Sequence, residues 1–334
     1  MRVFLMVFML LMFSVAPVLA QELIRVKPLY TTNMSPVIQI YGLPAAEAGD
    51  LTPAGELSLR VVAEVASHYT KKSRGNESLL FDGETSRAIV SMRYGLSERW
   101  ETGVDVPMIS HDGGVLDSFI EGWHDFFGMP QGGRDEARRN QLHYYYQRND
   151  SATLDYSGSN GGFGDLALFA SYQLLAAEPS ARRSVALRSG IKLPTGNSSR
   201  LRSSGAVDAH LRVTASDAET LGEWNTTLFA SGGVLWLGKG DILENQQRQW
   251  VGFGSIGIGW MPLSWIDFKL QLDGHTSFYN NSELTQINSS SLQLGIGGSL
   301  HFSERVSLDL AVIEDVIVAS APDVVFHSAL NWRF

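Results

Sequence analysis

The chain has 334 residues, with 26 basic against 35 acidic side chains and a net charge of −9, a balance that argues against nucleic acid as a partner. Cysteine is absent, which excludes disulfides and thiolate metal sites as supports of the fold. Beyond residue 20 no apolar run reaches the roughly eighteen residues of a spanning helix; a β-barrel, with strands of about ten residues, remains compatible with a mean hydropathy of −0.03.

Arg2 precedes an apolar run from Val3 to Val15, and small residues follow through Ala20. This pattern predicts a secretory signal over 1–20, cleaved after Ala20, rather than a retained transmembrane helix. Loss of Arg2 with the signal takes the formal charge from −9 to −10. Residues 21–53 carry Pro28, Pro36, Pro44 and Pro53 around one apolar patch of Val37, Ile38, Ile40, Tyr41 and Leu43. Such spacing interrupts helices and central strands, so the segment reads as a periplasmic N-terminal lead-in, tucked under the next domain or hanging free.

Residues 54–334 are organised with period two. Leu57, Leu59, Val61, Ala63 and Val65 alternate with Ser58, Arg60, Val62 and Glu64, and the same rhythm recurs over 87–94 and 100–106. It continues over 166–174, 185–193, 209–215, 224–236, 250–260, 266–272, 292–302, 306–312 and 324–334, which makes about twelve strands. Connections alternate as well. Short links at 96–99, 261–264 and 303–305, with 175–184 and 216–223 on the same side, are separated by longer ones at 70–86, 110–162, 194–207, 238–249, 275–290 and 314–323. Trp100, Trp224, Trp236, Trp250, Trp260 and Trp332 fall near strand ends, as an aromatic girdle requires. A soluble β-sandwich would need neither the girdle nor the alternation of loop length. The expected fold is therefore all-β, a transmembrane antiparallel up-and-down barrel with both termini on the periplasmic side.

The face opposite the apolar one becomes the lumen. Arg60, Glu64, Arg87, Arg93, Glu101, Asp105, Asp165, Arg188, Lys192, Asp208, His210, Arg212, Asp267, Lys269 and Asp273 are the candidates to line it. They mix both signs, which suits either a narrow pore or a closed salt-bridged interior.

The long third connection, 110–162, is the place to look for a lid, plug or binding surface. Within it Leu116, Phe119, Ile120, Trp123, Phe126 and Phe127 recur at helical spacing before Gly128 and Pro130, predicting a short amphipathic helix in an external loop. His111, Asp112, Asp117, Glu121, His124 and Asp125 crowd the same stretch, but their spacing reads as a solvated acidic face rather than a metal site. Gly252, Gly254 and Gly257 spell G-x-G-x-x-G inside a strand pattern with no helix after it, so no cofactor is expected there. His327 and Ser328 are adjacent and point to opposite faces of a strand, so they make no nucleophile–base pair, and enzymatic activity is not expected.

The last strand ends on Phe334 and resembles the closing strand of bacterial outer-membrane barrels, whose final Phe is read by the barrel-assembly machinery. Asp82-Gly83-Glu84-Thr85, Met92-Arg93-Tyr94-Gly95-Leu96, His111-Asp112-Gly113-Gly114, Gly164-Asp165 and Lys192-Leu193-Pro194-Thr195-Gly196 resemble an uncharacterised domain-of-unknown-function family of predicted outer-membrane proteins. That resemblance implies a barrel in the outer membrane of a Gram-negative bacterium, in contact with lipid, and assigns no activity. The charged lumen makes a passive channel or transporter for a small solute the leading expectation, with a structural or envelope-assembly barrel as the alternative.

Overall fold

The structure, a computed structural model, describes residues 25–114, 122, 140–175, 182–316 and 320–334. The predicted signal and the predicted helix residues Leu116, Phe119, Ile120, Trp123, Phe126 and Phe127 lie outside them. In chain order the strands are β1 (Leu57–Arg74), β2 (Glu77–Gly95), β3 (Trp100–Asp112), β4 (His143–Arg148), β5 (Ser151–Tyr156), β6 (Asn160–Phe163), β7 (Leu166–Leu175) and β8 (Arg183–Leu193). They continue with β9 (Asp208–Asp217), β10 (Thr226–Leu237), β11 (Trp250–Leu263), β12 (Ile266–His275), β13 (Ser291–His301), β14 (Val306–Asp315) and β15 (Val324–Arg333).

Twelve of these, all but β4 to β6, form a closed antiparallel barrel. The seam is the pairing of β1 with β15, in register from Ser58↔Arg333 to Ser67↔Val324. The wall strands coincide with the twelve predicted from alternation, because period two is what a wall with one apolar and one polar face demands. Outward positions carry Val61, Val90, Leu168, Leu211, Val234, Ile256, Leu270, Ile296 and Leu310, all exposed, while their neighbours in sequence turn inward. Trp100, Trp224, Trp250, Trp260 and Trp265 also project outward near strand ends. Phe334 stacks on Trp332 at 4.7 Å and donates its backbone N–H to Leu57 O, which ties the last residue to the seam.

Such an exposed apolar band is stable only against lipid. Ile256 is 60% exposed near the middle of β11. Ile256→Arg is expected to cost about 2–4 kcal/mol in the denaturant unfolding of the protein in lipid vesicles; an unchanged midpoint would place the lipid face elsewhere.

Two expectations about the connections are corrected. The stretch 70–86 is not a loop: β1 and β2 stay paired up to Arg74↔Glu77 across a turn at Gly75 and Asn76, with Gly75 at φ +55°. A tilted strand crosses the apolar band in about ten residues, so much of the 18-residue β1 stands beyond it. The stretch 110–162 is also not one irregular loop. β4 pairs with the projecting half of β2, β5 with β4, and β6 with the end of β3. These strands roof the rim opposite the termini.

Candidate functional site: a filled lumen

The largest departure from the sequence reading is the position of residues 25–53. They do not hang below the barrel. From Val26 to Ala48 most residues are buried inside it; Lys27 is exposed, and Thr32 and residues 42–44 are partly so. The ascending leg passes Gly259, where an added Cβ would lie 2.2 Å from Val26 Cγ1, and then Gly295 beside Leu29. At Ser35 the chain turns, with Ile38 and Gln39 both donating to Ser35 O, and Pro36 supplying the fixed φ of the turn. The descending leg leaves through Pro53 and bridges Ala54 to Gly95 at the terminal rim before β1 begins.

Irregular backbone inside a barrel needs partners for its peptide groups. Two glutamines supply them. Gln271 accepts from Leu29 N–H at 2.8 Å and donates to Leu29 O at 3.1 Å. Gln173 does the same on the other leg, accepting from Leu51 N–H at 3.0 Å and donating to Gly49 O at 2.7 Å.

The lumen candidates organise around this plug. Glu47 is the hub: Arg93 Nε lies 3.1 Å and Arg188 Nη1 3.8 Å from its carboxylate, and Arg212 Nη2 also pairs with it. Arg93 reaches Asp105 at 2.8 Å and donates to Tyr30 Oη at 2.9 Å, while Tyr30 in turn donates to Asp105. Arg188 pairs with Glu101 at 2.7 Å, and Glu101 accepts the Thr52 N–H at 2.7 Å. Arg212 further donates to Ala45 O. Arg60 lies 4.3 Å over the Tyr30 ring.

A second cluster joins Glu64 to Arg87 at 2.6 Å, to His327 at 2.9 Å and to the Thr31 hydroxyl at 2.7 Å. In a third, Lys192 bridges Asp165 at 2.6 Å and Asp208 at 3.1 Å, while donating to Ile40 O and leaving Asp208 to accept the Gly42 N–H. Lys269, Asp267 and Asp309 pair among themselves on the wall, without the plug. His210 packs between Phe169 and Phe253, and Asp273 accepts from Gln271.

The apolar patch noted in the sequence is the tip of the plug. Val37, Ile38, Ile40 and Tyr41 pack under the roof, against Tyr144, Tyr146, Leu201, Leu243, Phe278 and Tyr279 among others. Tyr41 stacks on Phe278 at 5.2 Å and donates to Tyr279 Oη, which donates to Val37 O. Burial pushes both phenols well above their ordinary value, so they act as neutral hydrogen-bonding groups.

His111, one of the crowded acid and imidazole residues, bonds through one ring nitrogen to the Thr85 hydroxyl and through the other to Leu201 O. Of the rest of that group only Asp112 is described. Gly257, in the G-x-G-x-x-G run, leaves room for Phe229, whose ring would meet an added Cβ at 2.2 Å. Glu47, Tyr30, Gln173 and Gln271 were not singled out in the sequence. The one signal pointing to them was the apolar patch at 37–43, which water would not keep uncovered.

A profile of the family described as "Protein of unknown function (DUF3187)" matches residues 3–334. No curated protein matches the sequence. Among solved structures, the COG4313 outer membrane channel from Pseudomonas putida F1 is similar over 85% of this chain and 97% of its own, with 14% identity and a TM-score of 0.55, and so shares the fold. The NanC porin overlaps more loosely, at TM-score 0.44 and 7% identity over 83% of this chain and 98% of that one. The CymD monoaromatic hydrocarbon channel gives 0.39 and 11% over 84% and 88%.

Proposed function

We infer that this chain, which belongs to the DUF3187 family, is a passive channel for a small solute in the outer membrane of a Gram-negative bacterium, closed at rest by its own N-terminal segment. The observation that carries the reading is what fills the lumen. Side chains of the wall alone do not fill it; the space is occupied by a strand-free segment covalently tied to the wall only through residue 54 and held by hydrogen bonds and ion pairs. Water entering the lumen can replace such contacts, whereas no water reaches the ladder of a lipid-facing wall.

In this reading the rim with the termini and short turns faces the periplasm, the roof of β4 to β6 faces outward, and the exposed apolar band meets lipid. Phe334 is then available to the barrel-assembly machinery during insertion. No enzymatic activity is part of the proposal: His327 is held by Glu64 inside while Ser328 points outward and donates to Ala63 O.

The test is single-channel recording in planar bilayers, comparing the full chain with one lacking residues 25–48. The full chain is expected to be closed or to open rarely, and the deletion to conduct continuously. The density of plug contacts favours a second reading, a structural barrel with a permanent filling. A deletion variant that inserts, folds and stays silent would decide for that second reading.

A further inference from the structure

Every interior carboxylate discussed so far except Asp273 has a basic partner. Glu64, Glu101, Asp105, Asp165, Asp208, Asp267 and Asp309 all lie within 4 Å of a Lys or Arg nitrogen, and Glu47 has three. Asp273 differs. Among the described residues its oxygens accept only from the Gln271 side-chain amide, at 3.1 and 2.8 Å. That amide is already shared with Leu29 O.

Asp273 lines a cavity between the two legs of the plug and strands β10 to β13, together with Thr31, Thr32, Ser255, Gln293 and His275. The histidine could have supplied the missing charge, but its bonds fix it as neutral. Nδ1 lies 2.9 Å from Thr276 O, which only accepts, so Nδ1 carries the hydrogen. Nε2 lies 2.9 Å from Asn33 Nδ2, which only donates, so Nε2 is bare. The orientation of the Asn33 amide is set in turn, since its Oδ1 accepts from Ser35 N–H and its Nδ2 donates to Ser320 O. Among the described residues the polar groups that line the cavity with Asp273 are hydroxyls, amides and a neutral imidazole, while the charged Arg87 and Glu64 bond to the hydroxyls of Thr32 and Thr31. Asp273 is half-buried, and an ionised carboxylate that has lost part of its water without gaining a counter-charge is destabilised.

We propose that this cavity is a binding site for a small monovalent cation, with Asp273 as its charged ligand and the neutral oxygens of Thr31, Ser255 and Gln293 around it. One carboxylate among neutral donors matches a single positive charge; a calcium or magnesium site draws on more carboxylates or a larger oxygen shell. An alkali ion and the ammonium group of a small solute share this chemistry. The site goes beyond the channel reading and does not require conduction, so its test is independent of the bilayer recordings.

The experiment is thermal unfolding of the purified full chain in detergent, at fixed pH and chloride concentration, in potassium, methylammonium or N-methylglucamine salts. Wild type is expected to unfold a few degrees higher in potassium or methylammonium than in the bulky N-methylglucamine, and Asp273→Asn to show no such difference. A rise with potassium alone identifies an alkali-ion site, and one with methylammonium alone an ammonium site. Equal midpoints in all three salts for wild type, or the same differences in Asp273→Asn, would overturn the proposal. Should the variant not fold, crystals of the wild-type chain soaked in thallium(I) decide: an anomalous peak beside Asp273 supports the site, and its absence overturns it.

Discussion

Glu47→Gln is expected to release the plug while leaving the barrel standing. The substitution keeps the shape of the side chain and removes the charge that Arg93, Arg188 and Arg212 share. Arg93 retains Asp105, and Arg188 retains Glu101, but among the described residues Arg212 keeps only the Ala45 carbonyl. Leaving a buried guanidinium without its carboxylate costs about 3–5 kcal/mol. Because the wall does not depend on Glu47, that cost falls on the plugged state, which shifts the plug equilibrium by roughly a hundred- to a thousand-fold or more. The chain has no native cysteine, so a thiol at Ala46→Cys, a position 5% exposed, reports on the plug alone. Its reaction with a water-soluble maleimide is expected to accelerate in the Glu47→Gln background, together with channel opening in bilayers. Unchanged labelling would mean that the hydrogen bonds and the apolar tip hold the plug without the hub. Adding Arg212→Met is expected to recover part of the loss, since it removes the stranded charge.

The second large effect is a lock. A Cβ built on Gly42 would lie 3.2 Å from the Cβ of Asp208, a few tenths of an ångström inside the usual disulfide range. Lys192 would still pair with Asp165 at 2.6 Å in an Asp208 variant. Gly42→Cys with Asp208→Cys, placed in the Glu47→Gln background, is therefore expected to abolish the openings under oxidising conditions and to restore them on addition of reductant. Either cysteine alone should have no redox response. Openings that persist in the oxidised pair would show that conduction does not require the descending leg to move away from β9.

The wall of this protein was legible because its sequence is written under a two-faced constraint. Leu57 to Val65, or Val324 to Phe334, must put lipid-compatible side chains at every second position, and nothing else in the chain competes with that rhythm. The roof was not read, although β4 and β5 alternate too: Tyr144 and Tyr146 face Leu154 and Tyr156 across a turn at Asn149 and Asp150, both with positive φ. Asn-Asp is a weaker hairpin signal than Asn-Gly, and the six-residue strands are short beside the apolar helical pattern that precedes them. The plug was out of reach for a different reason. A proline-rich segment without periodicity looks the same whether water or a charged wall solvates it. Only the pairing of Glu47 with Arg93, Arg188 and Arg212 distinguishes the two, and such pairing over long sequence separation leaves no local trace. Fifteen lumen candidates could be named by face, yet nothing in their spacing told which would meet one another or a tenant in the lumen.

The position of the plug at the start of the chain also constrains the order of folding. Asn33 donates to Ser320 O, 287 residues away, and to Ser291 Oγ, 258 residues away. His327, on the last strand, completes the Glu64 cluster that receives Thr31. The segment synthesised first among the described residues thus obtains its final bonds only when the last strand is in place. Until then Asn33 lacks its Ser320 acceptor and Glu64 lacks His327. A chain that stalls short of β15 would therefore hold its N-terminal segment through Glu47, Gln173 and Gln271 but without the clasp that residues 320 and 327 add at Asn33 and Glu64.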